Sequence, residues 1–455
     1  MFEAIIVLVV LGLAGFFIIK KYHPALVLII GAILLLGISV LLGNPLFAEG
    51  EGTGLAFFDI FLMLRNTIVS QVGGAGLVIM ILFGYSAYMS HIGANQIAVN
   101  ILVRPMTKIK SKALFIPIVF LLGNLMSLVV PSASALAIIL MAILYPLLKG
   151  IGISSMTAAG VIAMTATIMP TPLGADNVVA AETLGINILT YVGQHAMISI
   201  PTLLVLAVVQ LIWQRYCDKK EGAAAFVEIK TDTKEEEKTD VPSFYALFPL
   251  LPLILILGVG IASIISDDIS MDIFILTIIS FFITLIVETI RKKSFRNAQE
   301  SALELFKGMG QGFSQVVVLV VGGSLFTSGI QSLGVVNSIM TAVENAEAAG
   351  VLTTMIFSGA TAIFGILSGG GLAMFYATIE LIPEIAARAG IYGNMITLPM
   401  QMIANLSRTV SPVAAVIMIV SSSVGVSPMK LLKRTAVPTL FGMIMVMILA
   451  MVILH

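Results

Sequence analysis

Charge and cysteine are what this sequence has least of. Only 11% of its 455 residues are charged and 59% are hydrophobic, where soluble globular chains carry about a quarter charged. Such a chain cannot clothe its core in a solvated surface, and it reads as an all-α polytopic membrane protein. The 24 basic and 24 acidic residues balance, which removes any net-charge case for nucleic acid or an anionic membrane surface as a partner. Cys217 stands alone, so an intrachain disulfide and a thiolate zinc cluster are both excluded. No H-E-x-x-H and no G-x-x-x-x-G-K-[ST] occurs, and Asp176 lacks a second buried aspartate for an acid–base dyad, so an enzyme has little support. No cofactor and no metal site is expected.

What is present is long apolar runs. A crossing needs about 20 residues for roughly 30 Å of hydrocarbon. Runs of that order lie near 4–19, 24–43, 72–91, 190–214, 245–265, 270–290, 312–331 and 435–454. The first has no basic residue before it and Lys20-Lys21 after it, the reverse of a signal peptide, so it is kept as a spanning helix. The abundant methionines are spread through these runs and read as packing.

Two further regions, 113–187 and 350–424, are apolar but repeatedly interrupted by Pro, Gly, Ser, Thr and Asn, and they match each other. Ser134-Ala135-Leu136-Ala137 through Tyr145-Pro146 faces Gly370-Gly371-Leu372-Ala373 through Ile382-Pro383. Ile92-Gly93 faces Leu333-Gly334, and Met164 to Thr167 faces Met402 to Asn405. Register kept this far implies an internal repeat. Each region reads as a re-entrant hairpin followed by a broken transmembrane helix. Five crossings per half are odd, which forces the repeats into inverted orientation, giving about 10 crossings plus 2 hairpins.

The expected organisation is scaffold helices (1–111), hairpin and broken helix (112–189), a closing helix (190–215) and a linker (216–243). The second repeat then supplies scaffold helices (244–349), hairpin and broken helix (350–424) and its own closing helix (425–455). Under that topology every lysine and arginine falls on one side except Arg65 and Arg388, with Arg408 inside the membrane. The positive-inside rule makes that side cytoplasmic, so both termini face outward and the charged linker is a solvated cytoplasmic tether.

The stretch Asn405-Leu406-Ser407-Arg408-Thr409-Val410-Ser411-Pro412 carries the sharpest signal. An arginine at the bilayer centre costs roughly 2.5–3.5 kcal/mol on insertion scales and marks a pathway or a partner. Ser411-Pro412 reads as an N-cap and first position of a restarted helix, and broken helices survive at membrane depth only where they line protein or water. Four helix N-termini should converge: after Ser132 and Ser134, after Gly369, Gly370 and Gly371, after Thr171-Pro172 and after Ser411-Pro412. Each offers free N–H groups and a positive dipole end, and the Arg408 fork can grip a carboxylate. The candidate substrate residues are Arg408, Asn405, Ser407, Thr409, Ser411, Ser132, Ser134, Thr171, Asp176, Asn177, Gly369, Gly370 and Gly371. Arg408 has a competing structural role, an ion pair with Asp176 in the opposite break, and the two roles can alternate with site occupancy. His91, His195, Asp59 and Glu380 read as solvated or locally paired.

These residues describe a carrier for a small organic anion. A channel suits broken helices less well, and a citrate, amino-acid or short-chain monocarboxylate carrier fits the same features. A coupling ion, proton or sodium, is not decided.

Three stretches, Gly84 to Asn95, Trp213-Gln214-Arg215-Tyr216 with Asp218-Lys219-Lys220-Glu221, and Asn405 to Pro412, resemble the anaerobic four-carbon dicarboxylate carriers of the DcuC type, within the ion transporter superfamily. The resemblance runs nearly end to end, and the hairpin tips depart from it in detail. It implies exchange or efflux of succinate and fumarate across a bacterial inner membrane. It also implies a homodimer with a static scaffold and a moving transport domain, working as an elevator.

Overall fold

A computed structural model describes residues 2–105, 112–226, 241–265, 272–335 and 349–454, and every regular element among them is helical. The first half opens with α1 (Phe2–Ile19) and α2 (Pro24–Leu41), continues through α3 (Ala56–Gln71) and α4 (Leu77–His91), and then turns into α5 (Ala94–Val103). It goes on with α6 (Lys112–Leu125), α7 (Ala133–Gly150), α8 (Ser155–Ala163), α9 (Ala175–Thr183) and α10 (Ile188–Glu221). The second half holds α11 (Leu251–Ile265), α12 (Ile273–Lys292), α13 (Phe295–Gly312), α14 (Val318–Ser332) and α15 (Ala349–Ser368). It closes with α16 (Gly371–Thr378), α17 (Ile382–Arg388), α18 (Asn394–Ser407), α19 (Ala415–Val424) and α20 (Pro428–Ile453).

Eleven helical segments among the described residues are long and apolar enough to cross a membrane. Large apolar side chains such as Leu8, Phe57, Ile212, Ile286 and Val452 point outward along them, as helices solvated by lipid require. The halves also share their irregularities. A π turn joins α3 to α4 at Val72–Gly76 and α13 to α14 at Phe313–Val317. Left-handed glycines end corresponding helices: Gly93, Gly152 and Gly185 in one half, Gly334, Gly390 and Gly425 in the other.

Two extents differ from the apolar runs. The segment expected from 72 starts at Ala56, and the one expected from 312 starts at Phe295. Their first halves carry Arg65 and Gln71, and Glu300, Glu304 and Lys307, which dilute an apolar window without breaking the helix. Arg65 therefore lies within α3 and not in a loop. α4 and α13 approach closely at Gly84 and Gly308, where a Cβ on Gly308 would lie 2.7 Å from the Gly84 Cα. Small residues of this kind let membrane helices touch backbone to backbone.

The expected solvated tether is also partly helical. Residues 216–221 complete α10, and there Asp218 and Glu221 bind Arg434 of α20 at 2.7 and 2.8 Å. Arg434 is wholly buried, not a loop cation. The stretch 227–240, with Lys230, Lys234 and Lys238, lies outside the described residues, as do Lys108 and Lys110.

Candidate functional site

In each expected break two short helices are separated by a stretch that is not α-helical, of similar form in both. α8 and α9 are separated by 164–174, and α18 and α19 by the 3₁₀ turn Arg408–Val410 and the residues up to Ala414. The restart positions differ from expectation. α9 begins at Ala175 and α19 at Ala415, so Ser411 is not an N-cap and Pro412 is not a first helical residue. Thr171-Pro172-Leu173-Gly174 and Ser411-Pro412-Val413-Ala414 instead form matching turns, closed by Gly174 N–H to Thr171 O (3.4 Å) and Ala414 N–H to Ser411 O (3.2 Å). Proline presets the second position of such a turn and holds the preceding residue extended; Ser411 lies at φ −97, ψ 124.

The two breaks meet through side chains. Asn405 Nδ2 donates to Asp176 Oδ2 at 2.7 Å. Gln401 Nε2 donates to Asn177 Oδ1 at 2.6 Å, and Tyr191 Oη donates to Gln401 Oε1 at 2.7 Å. Asn177 Nδ2 in turn holds the Thr171 carbonyl at 2.8 Å. Arg408 Nη2 donates to the carbonyl of Ala166 in the opposite break. No ion pair within 4.0 Å links Arg408 to Asp176 among the described residues, so the alternative partner expected for Arg408 is replaced here by a backbone carbonyl. Gln401 and Tyr191 belong to this network, Asn124 holds the backbone of the first break at Met164 and Thr167, and none of the three was expected. An isolated polar side chain in an apolar run is the signal that points to them.

Other candidates are placed less directly. Ser407 is fully buried and donates to the Ala404 carbonyl; Thr409 donates to Leu406 O and meets Thr439 of α20 at 2.6 Å. Both are backbone-bonded packing residues of the kind common in membrane helices. The second tip does reach its break: Gly369 has φ +81, and a Cβ there would lie 3.0 Å from Ala414 N. Gly371 packs on Ala404 and Ser407, while Gly370 precedes α16 with open space beside it. At the first tip Ser132 caps α7 by accepting from Ala135 N–H at 3.3 Å. No hydrogen bond among the described residues joins Ser132 or Ser134 to the breaks. His195, expected near a helix end, is buried within α10 beside Ser199 at 3.1 Å. Glu380 accepts from Gln71 and Ser324, both at 3.1 Å. Among the described residues no three His, Cys, Asp or Glu side chains are grouped to hold a metal ion.

An all-helical chain of eleven candidate spans, with two broken helices tied at their unwound centres, has the architecture of a membrane transporter. The solved structures it resembles are transporters too. The YdaH transporter of Alcanivorax borkumensis superposes with a TM-score of 0.66 at 15% identity, covering 95% of this chain and 98% of that one. MtrF of Neisseria gonorrhoeae, from a class of antimetabolite efflux pumps, gives 0.58 at 14% identity and 95% coverage of both. The chain belongs to the C4-dicarboxylate anaerobic carrier family, DcuC, whose model matches residues 2–455. Relatives include a probable anaerobic C4-dicarboxylate transporter of Vibrio cholerae, 34% identical over 100% of this chain and 98% of its own length. The anaerobic C4-dicarboxylate transporter of Escherichia coli K12 is 32% identical over 97% and 94%. Membership in a transporter family sets the enzyme reading aside.

Proposed function

We propose that the protein is a secondary transporter of C4-dicarboxylates, working by succinate–fumarate exchange or succinate efflux, with Arg408 as the principal substrate ligand. One observation carries the reading. At the second break two buried donors, Arg408 Nε and Ser411 Oγ, have no hydrogen-bond partner among the described residues. A buried donor left unmade costs about 1–3 kcal/mol, and a substrate carboxylate supplies the acceptor both lack. The relatives' named substrates favour four-carbon dicarboxylates over citrate, amino acids or monocarboxylates.

The rest of the reading follows from the repeat. Two of the eleven spans, Ala133–Gly150 and Gly350–Ser368, are taken as hairpin arms that return to the side they left. α8 and α9 together make a crossing that neither achieves alone. Both termini then face outward from a bacterial inner membrane. The hairpins and broken helices move against scaffold helices α2, α4, α13 and α14 as an elevator within a homodimer.

The test is uptake of labelled succinate into proteoliposomes preloaded with fumarate, succinate or buffer, under sodium or proton gradients, for wild type and Arg408→Ala. Rapid uptake only into dicarboxylate-loaded vesicles, lost in the variant, supports exchange through this site. Normal transport by Arg408→Ala removes the substrate role.

A further inference from the structure

We infer that Asn124 positions Arg408 for substrate, acting from one repeat on the other through the backbone of the first break. Asn124 lies on α6 and is fully buried. Its amide closes over one short stretch of backbone from both ends. Nδ2 donates to the Met164 carbonyl at 3.4 Å, while Oδ1 accepts from Thr167 N–H at 3.0 Å and from Thr167 Oγ1 at 2.9 Å. A bond from Nδ2 to Phe120 O at 2.9 Å, on its own helix, fixes the side chain.

Ala166 sits inside that clamp at φ +54. This is the left-handed region, where a Cβ crowds the following carbonyl and a non-glycine residue stays only if its surroundings impose the conformation. The carbonyl of Ala166 is the group that receives Arg408 Nη2. The clamp therefore holds a strained residue in the one orientation that anchors the guanidinium, leaving Arg408 Nε free for an incoming carboxylate. An asparagine serving only the helix packing would need its own amide satisfied and no strain in its neighbour. Three contacts around Ala166 and its positive φ are what separate positioning from packing. Asn124 touches no part of the expected substrate path and acts through Ala166.

The inference rests on Arg408 as substrate ligand, so the experiment separates the two. Succinate counterflow is measured in proteoliposomes for wild type, Asn124→Ala, Asn124→Asp, Ala166→Gly, the Asn124→Ala/Ala166→Gly double variant and Arg408→Ala, with KM and maximal rate fitted separately. Loss of the clamp should raise KM roughly tenfold, the scale of one buried hydrogen-bonded contact, with a smaller change in maximal rate. Asn124→Asp keeps the acceptor to Thr167 and should fall between. Glycine holds a positive φ unaided, so the double variant should recover most of the wild-type KM. An unchanged KM in Asn124→Ala overturns the positioning role, as does a raised KM that Ala166→Gly does not restore. If Asn124→Ala yields no folded carrier, an unchanged KM in Asn124→Asp overturns it equally. Normal transport by Arg408→Ala defeats the underlying site reading instead.

Discussion

Gln401 offers the most direct measure of how firmly the two breaks are joined. Its side chain is fully buried, donates to Asn177 Oδ1 at 2.6 Å and accepts from Tyr191 Oη at 2.7 Å. Gln401→Met keeps much of the volume and removes both bonds. Tyr191 retains only Thr397 Oγ1 at 3.2 Å, and Asn177 keeps its bond to Thr171 O while its own oxygen loses its donor. An orphaned buried acceptor costs about 1–3 kcal/mol and the weakened tyrosine bond about 1, so the variant should lose about 2–4 kcal/mol. The pairwise coupling with Asn177 is a smaller quantity. Side-chain hydrogen bonds inside membrane proteins couple by about 0.6 kcal/mol on average and up to about 1.7. The upper end is expected here, because Asn177 is only 2% exposed and Gln401 not at all. Denaturation in detergent of wild type, Gln401→Met, Asn177→Ala and the double variant reads it directly. Single-variant losses that add within about 0.5 kcal/mol would refute the claim that this bond ties the breaks together.

Three further outcomes follow from the same geometry. Asp176→Asn removes the negative charge near Arg408 while leaving Asn405 an acceptor, and with it the repulsion that a carboxylate meets within a low-dielectric site. Succinate KM should fall several-fold with slower turnover, and an unchanged KM in counterflow contradicts it. Gly371→Ala would set a Cβ 2.7 Å from both Ala404 Cα and Ser407 Oγ, an overpacking of about 1–3 kcal/mol that thermal melting in detergent should register. Arg434→Ala strips the cation from Asp218 and Glu221, whose side chains keep 30% and 23% exposure, and leaves Asp218 its bonds from Ser154 and Thr157. Breaking a buried pair costs about 3–5 kcal/mol, the lower end applies here, and adding Asp218→Asn with Glu221→Gln should recover most of the lost stability.

The sequence made the membrane class and the interruptions at 164–174 and 408–414 legible, because each rests on local chemistry. Apolar runs, Pro beside Thr or Ser, and an arginine amid leucines are all read without knowing what packs on what. Helix extents failed where one face was polar, as along Phe295–Gly312, since a window average cannot tell a lipid-facing stripe from a solvated loop. The restart of α19 failed for another reason. Ser-Pro satisfies an N-cap and a turn equally well, and only the closing bond from Ala414 to Ser411 decides between them. Gln401, Tyr191 and Asn124 stayed hidden because their partners lie far along the chain, and a single polar side chain announces no partner. The burial and pairing of Arg434 stayed hidden on the same ground: its two carboxylates sit on another helix.

The breaks share a backbone form but not a set of charges, and that difference bears on how the site works. Thr171-Pro172 and Ser411-Pro412 build the same turn, yet Arg408 belongs only to the second break and Asp176 only to the first. Had each break carried an arginine, two cations would face each other with no counter-charge, and the empty site would push its halves apart. With one charge of each sign, and with Asn405, Gln401 and Ala166 bridging them, the two breaks are tied together by their own groups. Under the proposed reading a dicarboxylate binds by taking Arg408 Nε and Ser411 Oγ, donors with no partner among the described residues. Its second carboxylate must find a different kind of partner, because the first break has no arginine to offer. A four-carbon monoamide keeps one carboxylate for Arg408 and should therefore still exchange for succinate, whereas Arg408→Ala should lose both; a monoamide that Arg408→Ala carries as well as wild type does contradicts the assignment.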